Sequence, residues 1–238
     1  MRIFFIPGFG EEGFIFDKIQ SNIPGEKVFI DNWALLKEIP EKGLTVLVYA
    51  KCLIDYFEIK KEDVVIGHSM GGWIAWNIKH MTGCCIIQIA SWTDSSKLVK
   101  VPIERHLMYW LAKRGFGFNS LVLNLFVLLY YKNKPSREIF ITIFQRLRTV
   151  NKEIVAKQLQ IIFNPVKELI TTSPDFRIHS KSDHIVKFPD QAFYEVSGDH
   201  FTLYTYPETV YKPIVEFLKR QGLLTSKLTV NDKIESKL

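Results

Sequence analysis

Val64-Val65-Ile66-Gly67-His68-Ser69-Met70-Gly71-Gly72-Trp73-Ile74-Ala75 reads as a short apolar strand, a Gly-x-Ser-x-Gly turn and the opening of a helix. A serine at such a strand-to-helix junction sits on a strained turn with its Oγ exposed. Gly67 and Gly71 leave room for the turn and for the backbone packed around it. Turns of this kind occur at the ends of parallel strands, so the stretch points to an α/β sheet with helices on its faces.

The chain on either side keeps that rhythm. Apolar runs predict strands at Ile3 to Ile6, Lys27 to Ile30, Asp63 to Ile66, Cys85 to Ile89, Phe176 to His179 and Ala192 to Val196. Amphipathic stretches predict helices at Gly13 to Asn22, Thr45 to Glu58, Met70 to His80, Ile185 to Asp190 and Tyr206 to Arg220. The expected fold is α/β, with a mostly parallel sheet of about six strands and flanking helices. From about Asp94 to Thr172 the strand signal stops and only helical pattern remains, as in Arg137-Glu-Ile-Phe-Ile-Thr-Ile-Phe-Gln-Arg-Leu147. Residues 94–172 are therefore expected to be a helical cap inserted into a core of residues 1–93 and 173–224. The polar, charged residues 225–238 are expected to form a disordered tail.

The elbow and two loops far downstream resemble the α/β-hydrolase superfamily, over most of the chain outside the insertion. That resemblance implies a serine nucleophile, then an acid, then a histidine in chain order. Ile178-His-Ser-Lys-Ser-Asp183-His-Ile-Val186 looks like the acid loop, with Ser180 where the family often has glycine. Val196-Ser-Gly-Asp-His200-Phe201 looks like the histidine loop. The implied triad is Ser69, Asp183 and His200. In it His200 takes the Ser69 proton and returns it to the leaving group, while Asp183 orients the imidazole. The implied oxyanion donors are the backbone N–H groups of Met70 and of Phe9, in a loop that reads Pro7-Gly8-Phe9-Gly10 where the family often begins His-Gly. Asp94, at the end of an earlier strand, is the other candidate acid. Asp199 is too near His200 in sequence to reach its ring well. His68 reads as a packing or hydrogen-bonding residue, and His80, His106, His179 and His184 have no supporting constellation.

A second motif competes. Gly8-Phe9-Gly10-Glu11-Glu12-Gly13 is a literal Gly-x-Gly-x-x-Gly after a strand, and Asp31 ends the next strand, as in dinucleotide-binding proteins. The bulky Phe14-Ile15-Phe16 and the preceding Pro7 argue against that oxidoreductase reading, which also leaves the elbow unexplained. A non-enzymatic ligand binder on a hydrolase scaffold is the third reading, and an intact triad argues against it.

Composition narrows the class further. With 238 residues, 47% hydrophobic and 24% charged, the chain is not expected to be a fibre or a disordered tail, and no run approaches the ~18 apolar residues of a membrane span. Three cysteines, Cys52, Cys84 and Cys85, suit a reducing compartment, and the apolar start before Pro7-Gly8 is too short for a signal peptide, so a cytoplasmic protein is expected. No metal-ligand spacing appears, and neither metal nor cofactor is expected. Between Lys97 and Lys167 stand 13 Lys or Arg against Glu104, Glu138 and Glu153, a surplus of +10 that leaves −4 on the rest of a +6 chain. This uneven charge suggests a basic module and not general affinity for nucleic acid.

A serine nucleophile favours ester or thioester cleavage through an acyl-enzyme, and argues against the carboxylate chemistry of related epoxide and haloalkane hydrolases. The expected substrate is a small ester or acyl thioester. The basic segment, with a similarity to carrier-protein methyl ester esterases, suggests an acidic acyl carrier protein as a partner. Leu121 to Tyr131 is apolar nearly all round and is expected either to be buried in the cap or to line an acyl pocket.

Overall fold

The computed structural model describes residues 1–99, 103–166, 168 and 170–224. Its six strands are β1 (Arg2–Ile6), β2 (Glu26–Phe29), β3 (Val64–His68), β4 (Cys85–Ile89), β5 (Phe176–His179) and β6 (Tyr194–Glu195), paired in parallel in the order β2-β1-β3-β4-β5-β6. Strands buried on both faces need continuous apolar runs, and β1, β3 and β4 have them. Successive residues of β1 enter opposite layers. Ile3 and Phe5 meet Ile19, Ile214 and Leu218, whereas Phe4 and Ile6 meet Tyr49, Leu53 and Ile74.

The second of those layers is supplied by α3 (Val46–Phe57) and α4 (Met70–Thr82), and the first by α1 (Asp17–Gln20) and α10 (Pro207–Arg220). The register aligns Ile6 with Gly67 and His68 with Ile89, so the C-terminal ends of β1, β3 and β4 finish level. Ligands of open parallel sheets bind at that edge, and α4 begins there. Its first turn is pressed against the sheet: a Cβ on Gly71 would lie 1.9 Å from the Ile6 carbonyl oxygen, and one on Gly67 would lie 2.3 Å from Gly71. The glycines of the Gly-x-Ser-x-Gly turn are thus required by close backbone approach.

Between β4 and β5 run α5 (Arg105–Lys113), α6 (Ser120–Phe126), α7 (Arg137–Thr149) and α8 (Lys152–Phe163). α6 continues into a π-helical turn at Val127–Tyr131. Polar side chains start three of these helices: Glu104, Asn119 and Asn151 accept from the amides of Leu107, Val122 and Glu153. The apolar stretch from Leu121 is divided between two environments. The buried Tyr131 and the partly exposed Phe126 and Tyr130 line a cavity, while Leu121, Leu125, Leu128 and Leu129 are more exposed still.

Several cations of this segment are engaged internally. Lys113 and Arg146 pair with Glu41 and Glu12, and Lys157 Nζ donates to the carbonyls of Leu36 and Ile39. Three differences from the sequence reading have clear causes. A helix not foreseen, α2 (Asn32–Glu38), is started by the Asp31 carboxylate, which accepts from the amides of Trp33 and Ala34. The helix expected at Ile185 to Asp190 does not form, because the backbone there pairs with the segment after β4 instead: Val186 bridges Leu98 antiparallel, Val99 N–H donates to the Ile185 carbonyl and Lys187 N–H to that of Lys97. The helix expected at Gly13 to Asn22 splits into a 3₁₀ turn, Gly13–Phe16, followed by α1. The remaining helix, α9 (Thr202–Thr205), is one short turn before α10. The expected tail, 225–238, lies outside the described residues.

Candidate active site

Ser69 stands between β3 and α4 with φ 53° and ψ −120°, the strained conformation expected of the turn. Its backbone is clamped on both sides. The Ser69 amide donates to the Ile89 carbonyl at 3.0 Å, and the Ser91 hydroxyl donates to the Ser69 carbonyl at 2.7 Å. The side chain faces the loop after β6, where His200 Nε2 lies 3.0 Å from Ser69 Oγ.

The other ring nitrogen, His200 Nδ1, is 2.8 Å from Asp183 Oδ2. Asp183 follows β5, and its second oxygen accepts from the amides of Ile185 and Val186 at 2.7 and 2.9 Å. These three hydrogen bonds fix the carboxylate in one orientation. Burial pushes the Asp183 carboxyl up, but the charge and hydrogen bond of His200, with His179 and the Val186 amide, outweigh it and hold it below the ordinary carboxylate value. Burial pulls the His200 imidazole down, while Asp183, aided by Glu11 and Asp199, outweighs that and holds it above the ordinary histidine value. Ser180 has its own use, since its hydroxyl donates to the Gly198 carbonyl at 2.6 Å and ties the Asp183 loop to the His200 loop. Asp94 is elsewhere. Its carboxylate caps a turn at Ser96 and is exposed.

The loop after β1 is anchored at two amides with a free one between them. Gly8 N–H donates to Glu11 Oε2 at 2.6 Å and Gly10 N–H to Gln158 Oε1 at 2.9 Å. Among the described residues Phe9 N–H finds no protein acceptor, and Met70 N–H, at the start of α4, has none within its helix. Two donors therefore remain on the Ser69 side of the cleft. The same contacts bear on the glycine-rich fingerprint: the amides of Gly8 and Gly10 are occupied by side chains, and the Asp31 carboxylate caps α2.

A pair of buried titratable residues behind Ser69 and His200 was not found from sequence. His68 Nδ1 lies 2.8 Å from Glu11 Oε2, and His68 Nε2 lies 2.8 Å from the His200 carbonyl. A carbonyl only accepts, so Nε2 carries a proton. One more proton is shared between Nδ1 and Glu11, and the pair is neutral as a whole. It links the Gly8 loop to the His200 loop. Nothing near Glu11 in the sequence announces this, although a hydrogen-bonding role for His68 was expected. His179, three residues before Ser182, donates toward the Val186 carbonyl at 3.0 Å and stands 3.5 Å from Asp183.

Two apolar cavities open on Ser69. One of about 500 Å³ is bounded by Trp92, Met108, Leu159, Ile162 and Phe163. The other, about 180 Å³, is bounded by Phe118, Ile143, Phe144 and Leu147 together with Glu11 and His200. Among the described residues no group of acidic, histidine and cysteine side chains has the geometry to hold a metal ion, and no helix is long and apolar enough to cross a membrane.

No family model matches the chain, and no curated protein matches its sequence. Solved structures do. A hydrolase from Oleispira antarctica, olei00960, superposes with a TM-score of 0.67 at 14% identity, covering 92% of this chain and 90% of that one. A thermophilic esterase from Thermogutta terrifontis gives 0.62 at 16% identity, with coverage of 92% and 90%. The RedJ thioesterase of prodiginine biosynthesis in Streptomyces coelicolor gives 0.54 at 14%, with the same coverage. The chain has the α/β-hydrolase fold. At these identities the likeness concerns the fold.

Proposed function

We propose that this protein is a serine hydrolase that cleaves carboxylic esters or thioesters through an acyl-enzyme on Ser69. One observation carries the reading: a single imidazole, His200, bridges Ser69 Oγ at 3.0 Å and the Asp183 carboxylate at 2.8 Å. In this reading Ser69 attacks the acyl carbon as His200 Nε2 accepts its proton. Asp183 holds the Nδ1–H tautomer and offsets the charge that forms on the ring. The developing oxyanion is met by the amides of Phe9 and Met70. His200 then protonates the leaving group, and the same base activates the water that releases the acid.

Residues 94–172 act as a cap that brings apolar surface over Ser69. A thioester delivered on an acidic acyl carrier protein is a competing finer version, favoured by the exposed cations of that segment, such as Arg105 and Lys132; it would place a large leaving group beside His200. The test is direct. A fluorophosphonate reagent is expected to add mass to the peptide that contains Ser69, and Ser69→Ala to lose at least roughly 10⁴-fold of its turnover of activated esters and thioesters. Labelling at another residue, or a fully active alanine variant, overturns the proposal.

A further inference from the structure

We infer that the two cavities at Ser69 sort the substrate, the larger holding the acyl chain and the smaller a short, uncharged leaving group. The inference rests on the serine-hydrolase reading and extends it to substrate class. The two spaces share a rim formed by Phe9, Ser69, Phe126, Phe140 and Ile185, so one bound molecule can extend into both.

The assignment follows from where the proton must go. When the tetrahedral adduct on Ser69 breaks down, the bond from the acyl carbon to the alkyl oxygen cleaves. That oxygen takes the proton His200 Nε2 received from Ser69 Oγ. Transfer requires the oxygen within about 2.6–3.2 Å of Nε2. His200 lines the cavity of about 180 Å³ and does not line that of about 500 Å³. The leaving group therefore departs on the smaller side, and the acyl chain, bound to the same carbon, points into the larger. Water then enters on the leaving-group side, passes its proton to His200 and frees the acid.

Size and charge complete the substrate class. The larger space falls in the range of pockets that take drug-sized ligands, about 300–1,000 Å³, and the smaller falls below it. The larger is walled by Leu159, Ile162, Phe163 and Met108, which suits an extended or bulky hydrocarbon chain. The smaller is walled mainly by apolar side chains, and its one carboxylate, Glu11, is already taken up by Gly8 N–H and His68, so a charged leaving group would be desolvated there without a partner. The favoured substrate is an ester of a sizeable apolar acid with a small neutral alcohol or thiol.

Two ester series measured with the full chain by pH-stat test this. One varies the acid as methyl acetate, butyrate, hexanoate and octanoate. The other varies the alcohol as methyl, butyl, hexyl and octyl acetate. Each methylene buried in an apolar site is worth about fourfold. The expected result is that kcat/KM rises by more than tenfold along the acid series and stops rising, or falls, after the butyl ester in the alcohol series. Met108→Trp, which narrows the larger cavity at a half-buried position, should flatten the acid series. Phe118→Trp should steepen the fall in the alcohol series. A Ser69-dependent enzyme that prefers long alcohols and short acids, or climbs equally in both series, overturns the inference and leaves the hydrolase reading standing. Absence of Ser69-dependent turnover in every ester overturns both.

Discussion

On the sheet side of Ser69, the polar groups at the cleft are fixed by hydrogen bonds that involve backbone: Asp183 by two amides, Ser69 by Ser91 and Ile89, and the loop bearing Phe9 by Glu11 and Gln158. On the side of α5 to α8 the facing groups are Met108, Phe118, Phe126, Phe140 and Phe144, fixed by packing alone. The first wall holds polar atoms to a few tenths of an ångström, as proton transfer requires. The second tolerates substitution of one apolar shape by another, so substrate preference can change there without disturbing the chemistry. Activity should accordingly be brittle to single-atom changes on one wall and graded on the other.

The sharpest way to break that contrast is at Asp183. Asp183→Asn keeps the shape but cannot hold the same imidazole tautomer, and a loss of about 10⁴ in kcat is expected, the scale of a triad acid. Asp94→Asn, at an exposed turn remote from His200, should change kcat less than about twofold. The inverse ranking moves the acid to the loop after β4. The pH dependence adds a signed check. His200 must be neutral to accept the serine proton, and it is held above the ordinary 6.5, so kcat/KM should rise with pH through a limb above 6.5. Asp183 is the largest upward influence on that value, and its removal should move the limb to lower pH.

What the sequence disclosed and what it hid divide along the same line. The Gly-x-Ser-x-Gly turn was legible because most of its constraints are local: a strand, a strained serine and Gly67, whose missing Cβ is set by Gly71 four residues on, although Gly71 itself is set by Ile6 of β1. The sheet was legible because strands buried on both faces must be continuous and apolar. Asp183 and His200 could be named from their loops, but their meeting depends on the level ends of separate strands, a long-range fact. Glu11 was hidden entirely. Its partners, Gly8 N–H and His68, lie in different elements, and an acidic residue in a glycine-rich loop ordinarily reads as solvated. The stretch from Leu121 was half legible. Its pattern, apolar nearly all round, gave no means to tell the cavity-lining Phe126 and Tyr130 from the exposed Leu121 and Leu128. The false helix at Ile185 has the same cause, since the backbone pairing with Lys97 to Val99 that replaces it is long-range.

Glu11 offers the next prediction, of intermediate size. Glu11→Gln retains an acceptor for Gly8 N–H but removes the negative charge that His68 shares a proton with. His68 is then left to hold its two acceptors either as an uncompensated cation or with one bond lost. The loop bearing Phe9 should loosen, and kcat should fall roughly 10- to 100-fold. Glu11 also contributes to holding His200 up, so the acidic limb should move to lower pH as well. A loss of stability without any movement of the limb reduces Glu11 to a packing role.

The smallest expected effect belongs to the cations of the α5 to α8 wall. Their surplus looks large in sequence, yet the structure engages Lys113 with Glu41, Arg146 with Glu12 and Trp33, and Lys157 with two carbonyls. Arg105 and Lys132 are left on the surface. Exposed charges act beyond contact only within a Debye length, about 8 Å at physiological ionic strength. Arg105→Glu with Lys132→Glu should therefore leave kcat/KM for neutral methyl esters within about twofold, at any salt concentration. For an acyl thioester on an acidic carrier the same double variant should lower kcat/KM severalfold at low salt and converge with the parent protein as salt rises. Convergence is the informative feature, because a change in the packed wall would persist at high salt. Equal curves for the two substrates, with or without the charge reversals, would remove the carrier from the proposal and leave the short neutral leaving group as the better description of what meets His200.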